Sequence, residues 1–252
     1  LPYWKSFYES NADGSQKDVR RDVNFVDYAY VWNATTETQD KSYTASSIAK
    51  SLYRYPGKWR REWMALGFVD PNHTGVNYCP LRYADVVLMA AEAYNETNNT
   101  TEAWKLLNDV RQRAEATPIT SANYASLMKA PKVYNLDFID DSDDAGKFRT
   151  ALYWERGFEL CYEGQRKYDF LRWGCLGDAL RAAQAYIESW YPDANEYINA
   201  STLQSWDPVS WASSNYVAGH NFVDGKHELY PIPLAEIQSN AALNGQNNPG
   251  FE

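Results

Sequence analysis

Helices separated by long irregular loops are what this sequence predicts, on three observations. Apolar residues recur at helical spacing in stretches that begin near residues 81, 103 and 146. Asn99, three residues ahead of Glu102, has the form of an N-cap between the first two stretches, which makes them an antiparallel αα-hairpin with a short polar turn. The rest of the chain is irregular and crowded with Tyr, Trp, Asn, Asp and Pro.

The chain is 252 residues long, 44% hydrophobic and 23% charged, enough apolar material for a sizeable core. Aromatic residues make up 15%, with 20 Tyr and 10 Trp against 9 Phe. Side chains with an apolar body and a polar handle suit wet binding surfaces. The net charge of −9 argues against a nucleic-acid partner. No run of 18 apolar residues occurs, and Cys79, Cys161 and Cys175 make neither a disulfide framework nor a zinc knuckle. No signal peptide is visible, and the chain starts at Leu1 rather than Met.

Residues 1–80 mix aromatics with polar turns and predict short strands or extended loops. Asp18, Arg20, Arg21 and Asp22 read as a local salt-bridge knot, and Tyr53 to Arg61 is cationic and aromatic around a Pro56-Gly57 turn. The first long helix places Ala84, Val87, Leu88, Ala91 and Tyr94 on one face, followed by a turn at Asn95–Asn98. The second carries Ala103, Leu106, Leu107, Val110 and Ala114. Such a hairpin is the unit of tetratricopeptide-like solenoids, although no second copy appears at a period of 34. Residues 117–147 read as loop. The third helix is expected from Gly146 to Glu163, with Phe148, Leu152, Phe158 and Tyr162 near one stripe and Gly164 as its C-cap. A further helical stretch through Tyr168, Leu171, Leu176 and Leu180 is interrupted at Gly174, and a short amphipathic segment spans Leu234 to Ile237.

Three groups of residues invite a chemical reading. Asp137, Asp140, Asp141, Asp143 and Asp144 are too irregularly spaced for a calcium loop and read as a solvated start to the next helix, so no metal is assigned. Glu155 and Glu159, one helical turn apart, resemble the paired carboxylates of a retaining glycosidase. Arg156, Arg166, Asp169 and Arg172 crowd the same stretch, and guanidiniums depress the pKa that a general acid needs raised. These six therefore read as a structural ion network. Nucleotide-binding, nucleophile-elbow and zinc-protease motifs do not occur, so neither a catalytic residue nor a cofactor is assigned. The aromatics remain. A sugar ring stacks its C–H face on Trp or Tyr while its hydroxyls bond to Asn, Asp, Arg and Tyr, and loops on a rigid scaffold commonly carry such sites.

Four segments, in order, resemble the SusD/RagB family of outer-membrane nutrient-binding lipoproteins. Leu81-Arg82-Tyr83-Ala84-Asp85 through Ala93 is similar to its Arg-Tyr-Ala-Glu helix, with Asp85 in place of the glutamate. Leu107-Asn108-Asp109-Val110-Arg111 is similar to the partner helix. Glu155-Arg156-Gly157-Phe158-Glu159-Leu160, then Glu163-Gly164-Gln165-Arg166 through Arg172-Trp173-Gly174, resembles the central signature. Tyr230-Pro231-Ile232-Pro233, Glu236-Ile237, Asn240 and Gln246-Asn247-Asn248-Pro249-Gly250 resemble the terminus, with one extra Asn.

That resemblance implies an all-α, SusD-like α-α superhelix of tetratricopeptide-like hairpins with large irregular insertions. Residues 81–252 would be the C-terminal helical domain and residues 1–80 a loop-rich aromatic segment facing ligand. Family members are about twice this length, so the N-terminal half, with its signal peptide and lipidated Cys, is expected to lie outside the chain. The implied activity is non-catalytic capture of an oligosaccharide, or in some relatives a peptide, at the extracellular face of a Bacteroidetes-type outer membrane. The implied partner is a SusC-like TonB-dependent transporter. By position, Trp4, Tyr30, Trp32 and Trp63 are the expected ligand-binding residues, whereas Tyr83, Trp104, Phe158 and Trp173 belong with helix packing. The rival readings are a peptide-binding relative, a glycoside hydrolase using Glu155 and Glu159, and a scaffold that binds only a partner protein.

Overall fold

A computed structural model describes residues 7–26, 28–36, 38–43, 55–60, 63, 75–128, 139–185 and 221–251. They belong to two compact units, Leu1–Pro131 with Ile139–Arg166, and Lys132–Phe138 with Lys167–Glu252.

The first unit opens with a short helix, α1 (Arg20–Asn24), running into β1 (Phe25–Val26). Then come β2 (Tyr28–Asn33) and β3 (Thr38–Tyr43), an antiparallel hairpin in register from Tyr28↔Tyr43 to Asn33↔Thr38. Asn33 shapes its turn, accepting from the Thr35 and Thr36 amides at 3.0 and 3.3 Å. β4 (Tyr55–Pro56) pairs antiparallel with β1. Short strands in this region are what the sequence predicts.

The three long helices are α2 (Tyr83–Glu96), α3 (Thr100–Arg113) and α5 (Asp144–Glu159), with a single turn of helix, α4 (Tyr124–Leu127), between the last two. α2 and α3 form the expected hairpin, and α5 packs on both. Leu88, Ala91, Ala103, Leu107, Phe148 and Ala151 are fully shielded at their junction. Each large side chain so buried contributes about 1.5–3 kcal/mol, and the alanines let the backbones approach. Asn99 caps α3 by accepting from the Glu102 amide at 3.4 Å. The reciprocal half of the capping box is not made: the Asn99 amide donates to Tyr94 O at 2.8 Å, and the Glu102 carboxylate bonds Lys105 at 2.8 Å.

Four expectations need correction here. Tyr83 does not pack; it is 82% exposed, because Ala84, Leu88, Ala91 and Asn95 form the buried stripe of α2 and Tyr83 lies off it. Tyr94 and Met89 face outward as well. Asn95 is not a turn residue but the buried penultimate residue of α2, accepting from Thr100 Oγ1 at 3.0 Å. Finally, α5 stops at Glu159 rather than Glu163. Tyr162 (φ 63°) and Gly164 (φ 78°) are both left-handed, so the chain turns and carries the Glu163 carboxylate back toward Lys58 and Arg82.

The described acidic residues before α5 have local partners. Asp143 caps the helix by accepting from the Gly146 amide at 2.7 Å, and Asp140 accepts from the Ser142 amide at 3.0 Å. Asp141 accepts from the Tyr124 hydroxyl at 2.6 Å, and Asp144 from Trp104 Nε1 at 3.4 Å. Asp137 lies outside the described residues. Among those described, no group of three His, Cys, Asp or Glu could hold a metal, and no helix is long and apolar enough to cross a membrane.

The helix α6 (Arg166–Arg172), which belongs to the second unit from Lys167 onward, breaks at Trp173-Gly174, where Gly174 has φ 66°, and helix resumes over 176–185. Asp169, buried, pairs with Arg172 at 3.0 Å. α7 (Leu234–Ser239) is the short terminal helix. The paired Asn residues that follow tie it down: Asn247 Oδ1 accepts from the Ile232 amide and Asn248 Nδ2 donates to Tyr230 O, both at 2.7 Å.

Candidate functional site

Glu155 and Glu159, one turn apart on the buried face of α5, organise the first unit. Glu155 accepts from Arg20 Nη1 at 2.5 Å and from Arg111 Nη1 at 2.7 Å, so both its oxygens are taken. Arg20 is also chelated by Asp18, through Nε at 2.9 Å and Nη2 at 2.7 Å. Arg111 reaches on to Glu9, which accepts from the Thr117 amide at 3.1 Å. Glu159 accepts from Arg20 at 3.2 Å, from Arg82 at 3.0 Å, and from Arg113. Within the Asp18–Asp22 knot, Arg21 and Asp22 pair locally at 2.9 Å, whereas the Asp18–Arg20 pair is one end of a buried lattice. The cations on the two glutamates come from α1, from Arg82 at the N-cap of α2 and from α3 rather than only from their neighbours in sequence. Arg156 pairs instead with Asp85 at 2.7 Å, and Arg166 lies over the Tyr153 ring while donating to Tyr153 O at 2.7 Å.

Burial alone would raise the Glu159 carboxyl, but Arg113, Arg20 and Arg82 outweigh it and hold the group below the usual range. That is the wrong direction for a general acid. With both carboxylates engaged by guanidiniums, the pair has the chemistry of a clamp.

Beside this lattice lies a cavity of about 330 Å³. Its lining includes Arg20, Lys58, Arg82, Arg113, Glu159, Glu163, Trp59 and Trp63. The β1–β4 pairing sets its wall. Gly57, just after β4, donates to Asn24 O at 2.6 Å, and a Cβ there would collide with Val23 O, so only glycine permits the approach. The next two residues therefore sit against the end of α5. Lys58 donates to Glu159 O at 2.6 Å and to Glu163. Burial pushes its ammonium pKa down, and Arg82 adds to this, against the pull of Glu163. Trp59 is left-handed, φ 63°, a conformation that costs about 1–3 kcal/mol for a non-glycine residue. It is held by a bond from Nε1 to Tyr162 O at 3.2 Å and by the Tyr78 ring 5.8 Å away. Arg82 closes the base, donating to Glu163 at 2.7 and 2.9 Å. Trp63, 55% exposed, stands at the mouth.

Of the four aromatics expected to meet ligand, Trp63 lines this cavity among the described side chains. Tyr30 lies on β2, half-buried, its ring edge-on to Tyr28 at 5.9 Å. Trp32 pairs with Gln39 in the same hairpin, and Trp4 lies outside the described residues. Lys58, Trp59, Arg82 and Arg113 are cavity residues that sequence reasoning did not single out. The cationic, aromatic run from Tyr53 to Arg61 was the available signal for the first two. Nothing local marks Arg82 and Arg113, which belong to helix motifs.

The SusD family model matches residues 4–251. A SusD-like protein of Formosa agariphila is 31% identical over 172 residues, covering 68% of this chain and 24% of its own length. A second from the same organism is 30% identical over 247 residues, covering 95% of this chain and 38% of its own. Among solved structures, a SusD homolog from Bacteroides thetaiotaomicron superposes with a TM-score of 0.60 at 27% identity, over 93% of this chain and 41% of that one. The chain thus spans less than half the length of each of these relatives.

Proposed function

The chain belongs to the SusD family, and from that premise we propose that it is part of a non-catalytic glycan-binding component of an outer-membrane nutrient-uptake complex. The family match across residues 4–251 carries this reading. The protein would sit at the extracellular face of the outer membrane and pass oligosaccharide to a SusC-like TonB-dependent transporter. Trp4, Tyr30, Trp32 and Trp63 are the proposed ligand-stacking residues, in the aromatic segment 1–80. Two observations support it locally: Trp63 offers an exposed ring beside hydrogen-bonding groups, and Glu155 and Glu159 are clamped rather than poised.

A glycan array probed with the intact protein tests the proposal, followed by titration of the best hit. The expected result is binding that falls about tenfold or more in Trp63→Ala or Trp32→Ala, as for a central aromatic anchor, with the glycan recovered uncleaved. Binding confined to peptides would overturn the glycan assignment. Release of a chromogenic aglycone, abolished in Glu155→Gln, would replace it with a hydrolase.

A further inference from the structure

We propose that the cavity beside Glu159 receives the anionic group of an acidic saccharide, either a uronate carboxylate or a sulfate ester. The inference rests on the glycan-binding reading and names the substrate class of one site within it.

The lining is electrically lopsided. Arg20, Lys58, Arg82 and Arg113 face two carboxylates, Glu159 and Glu163. Arg20 is consumed by Asp18 and Glu155. Among the described residues that leaves three cations for two carboxylates, and the three retain donors with no acceptor there. Arg113 spends Nη2 on Glu159, and its Nε and Nη1 have no acceptor among the described residues. Arg82 uses Nε and Nη2, and its Nη1 has no acceptor among the described residues. Lys58 has two acceptors for three protons among the described residues.

An anion held by a guanidinium gains charge-assisted hydrogen bonds, and planar carboxylates and sulfate oxygens match its fork. Glu159 and Glu163 are already turned toward the cations, and as acceptors they can take bonds from sugar hydroxyls. Trp63 supplies an apolar face at the mouth, suited to a ring whose acid substituent points inward. A neutral sugar would leave the surplus positive charge of the described lining unmet.

The test compares acidic oligosaccharides with their own neutralised forms on the intact protein. Galacturonate and glucuronate trimers are titrated beside their methyl esters, and a galactose trimer bearing 6-O-sulfate beside its unsulfated parent. At least one charged form is expected to bind about tenfold more tightly than its neutral counterpart. Arg113→Gln should erase that preference while the fold persists, as read by circular dichroism; the melting temperature should drop only modestly, because Arg20 and Arg82 still hold Glu159. The uronate and sulfate arms identify which acid is recognised. Equal binding of charged and neutral forms, or a preference that survives Arg113→Gln, overturns the proposal while leaving the glycan reading intact. Failure of every charged form to bind, or capture of an oligoglutamate peptide instead, also overturns it; the glycan reading is judged separately by the array.

Discussion

Arg20 donates to Glu155 at 2.5 Å across 135 residues of sequence, with Glu155 wholly shielded from solvent. This pair and its extension to Arg111 join the irregular N-terminal segment to α3 and α5.

Removing one partner of such a pair strands a buried charge, so Glu155→Ala should destabilise the protein by about 3–5 kcal/mol in urea unfolding. Glu96→Ala, which cuts the bidentate but half-exposed pair with Arg149, should cost under about 1 kcal/mol. Similar losses from the two variants would show that the lattice is not what holds the unit together.

Acid should loosen the same lattice. Because the Glu159 carboxyl titrates below its ordinary value near 4.5 in the folded state, it contributes stability that is present above that value. The contribution is lost as pH falls through the depressed folded pKa. Unfolding free energy measured from pH 6 downward should therefore drop below about pH 4.5. The slope should be shallower in Glu159→Gln; an unchanged slope would remove Glu159 from the account.

The cysteines should separate by reactivity. Burial pushes the Cys161 thiol up to about 11, leaving almost no thiolate at neutral pH, and Cys175 is buried. Cys79 is exposed. Iodoacetamide at pH 8, read by peptide mass spectrometry, should modify Cys79 first and the other two at comparable rates only in denaturant. Early labelling of Cys161 would contradict the packing around it.

Gly57 tests how the cavity wall is built. In Gly57→Ala the new methyl meets Val23 O and Asn24, backbone that cannot easily withdraw. Overpacking of this kind costs about 1–3 kcal/mol. The displacement should also carry Lys58 and Trp59, so ligand affinity should fall together with stability. Loss of stability without any change in binding would detach this turn from the site.

Much of the helical frame was legible from local signals. The α2–α3 hairpin follows from apolar spacing and the Asn99 cap, and the break at Gly174 from a residue that readily adopts φ 66°. Where α5 ends was not legible. Tyr162 continues the helical stripe in sequence, yet long-range pairs to Glu163 draw the chain out of the helix. The outward face of Tyr83 was equally hidden, since an aromatic at a helix start carries no mark of which side its neighbours occupy.

Periodicity, capping and turn residues act over a few positions, and those the amino-acid sequence determined alone, together with the ordered motifs that mark the family. The partners of Glu155 and Glu159, and the meeting of Lys58, Trp59, Arg82 and Arg113 around one cavity, were decided by tertiary structure. The physical reason is that a buried charge takes whichever counter-charge the packing brings within 3 Å or so. The packing of α1 and the Gly57 turn against α5 brings groups about 100 residues away.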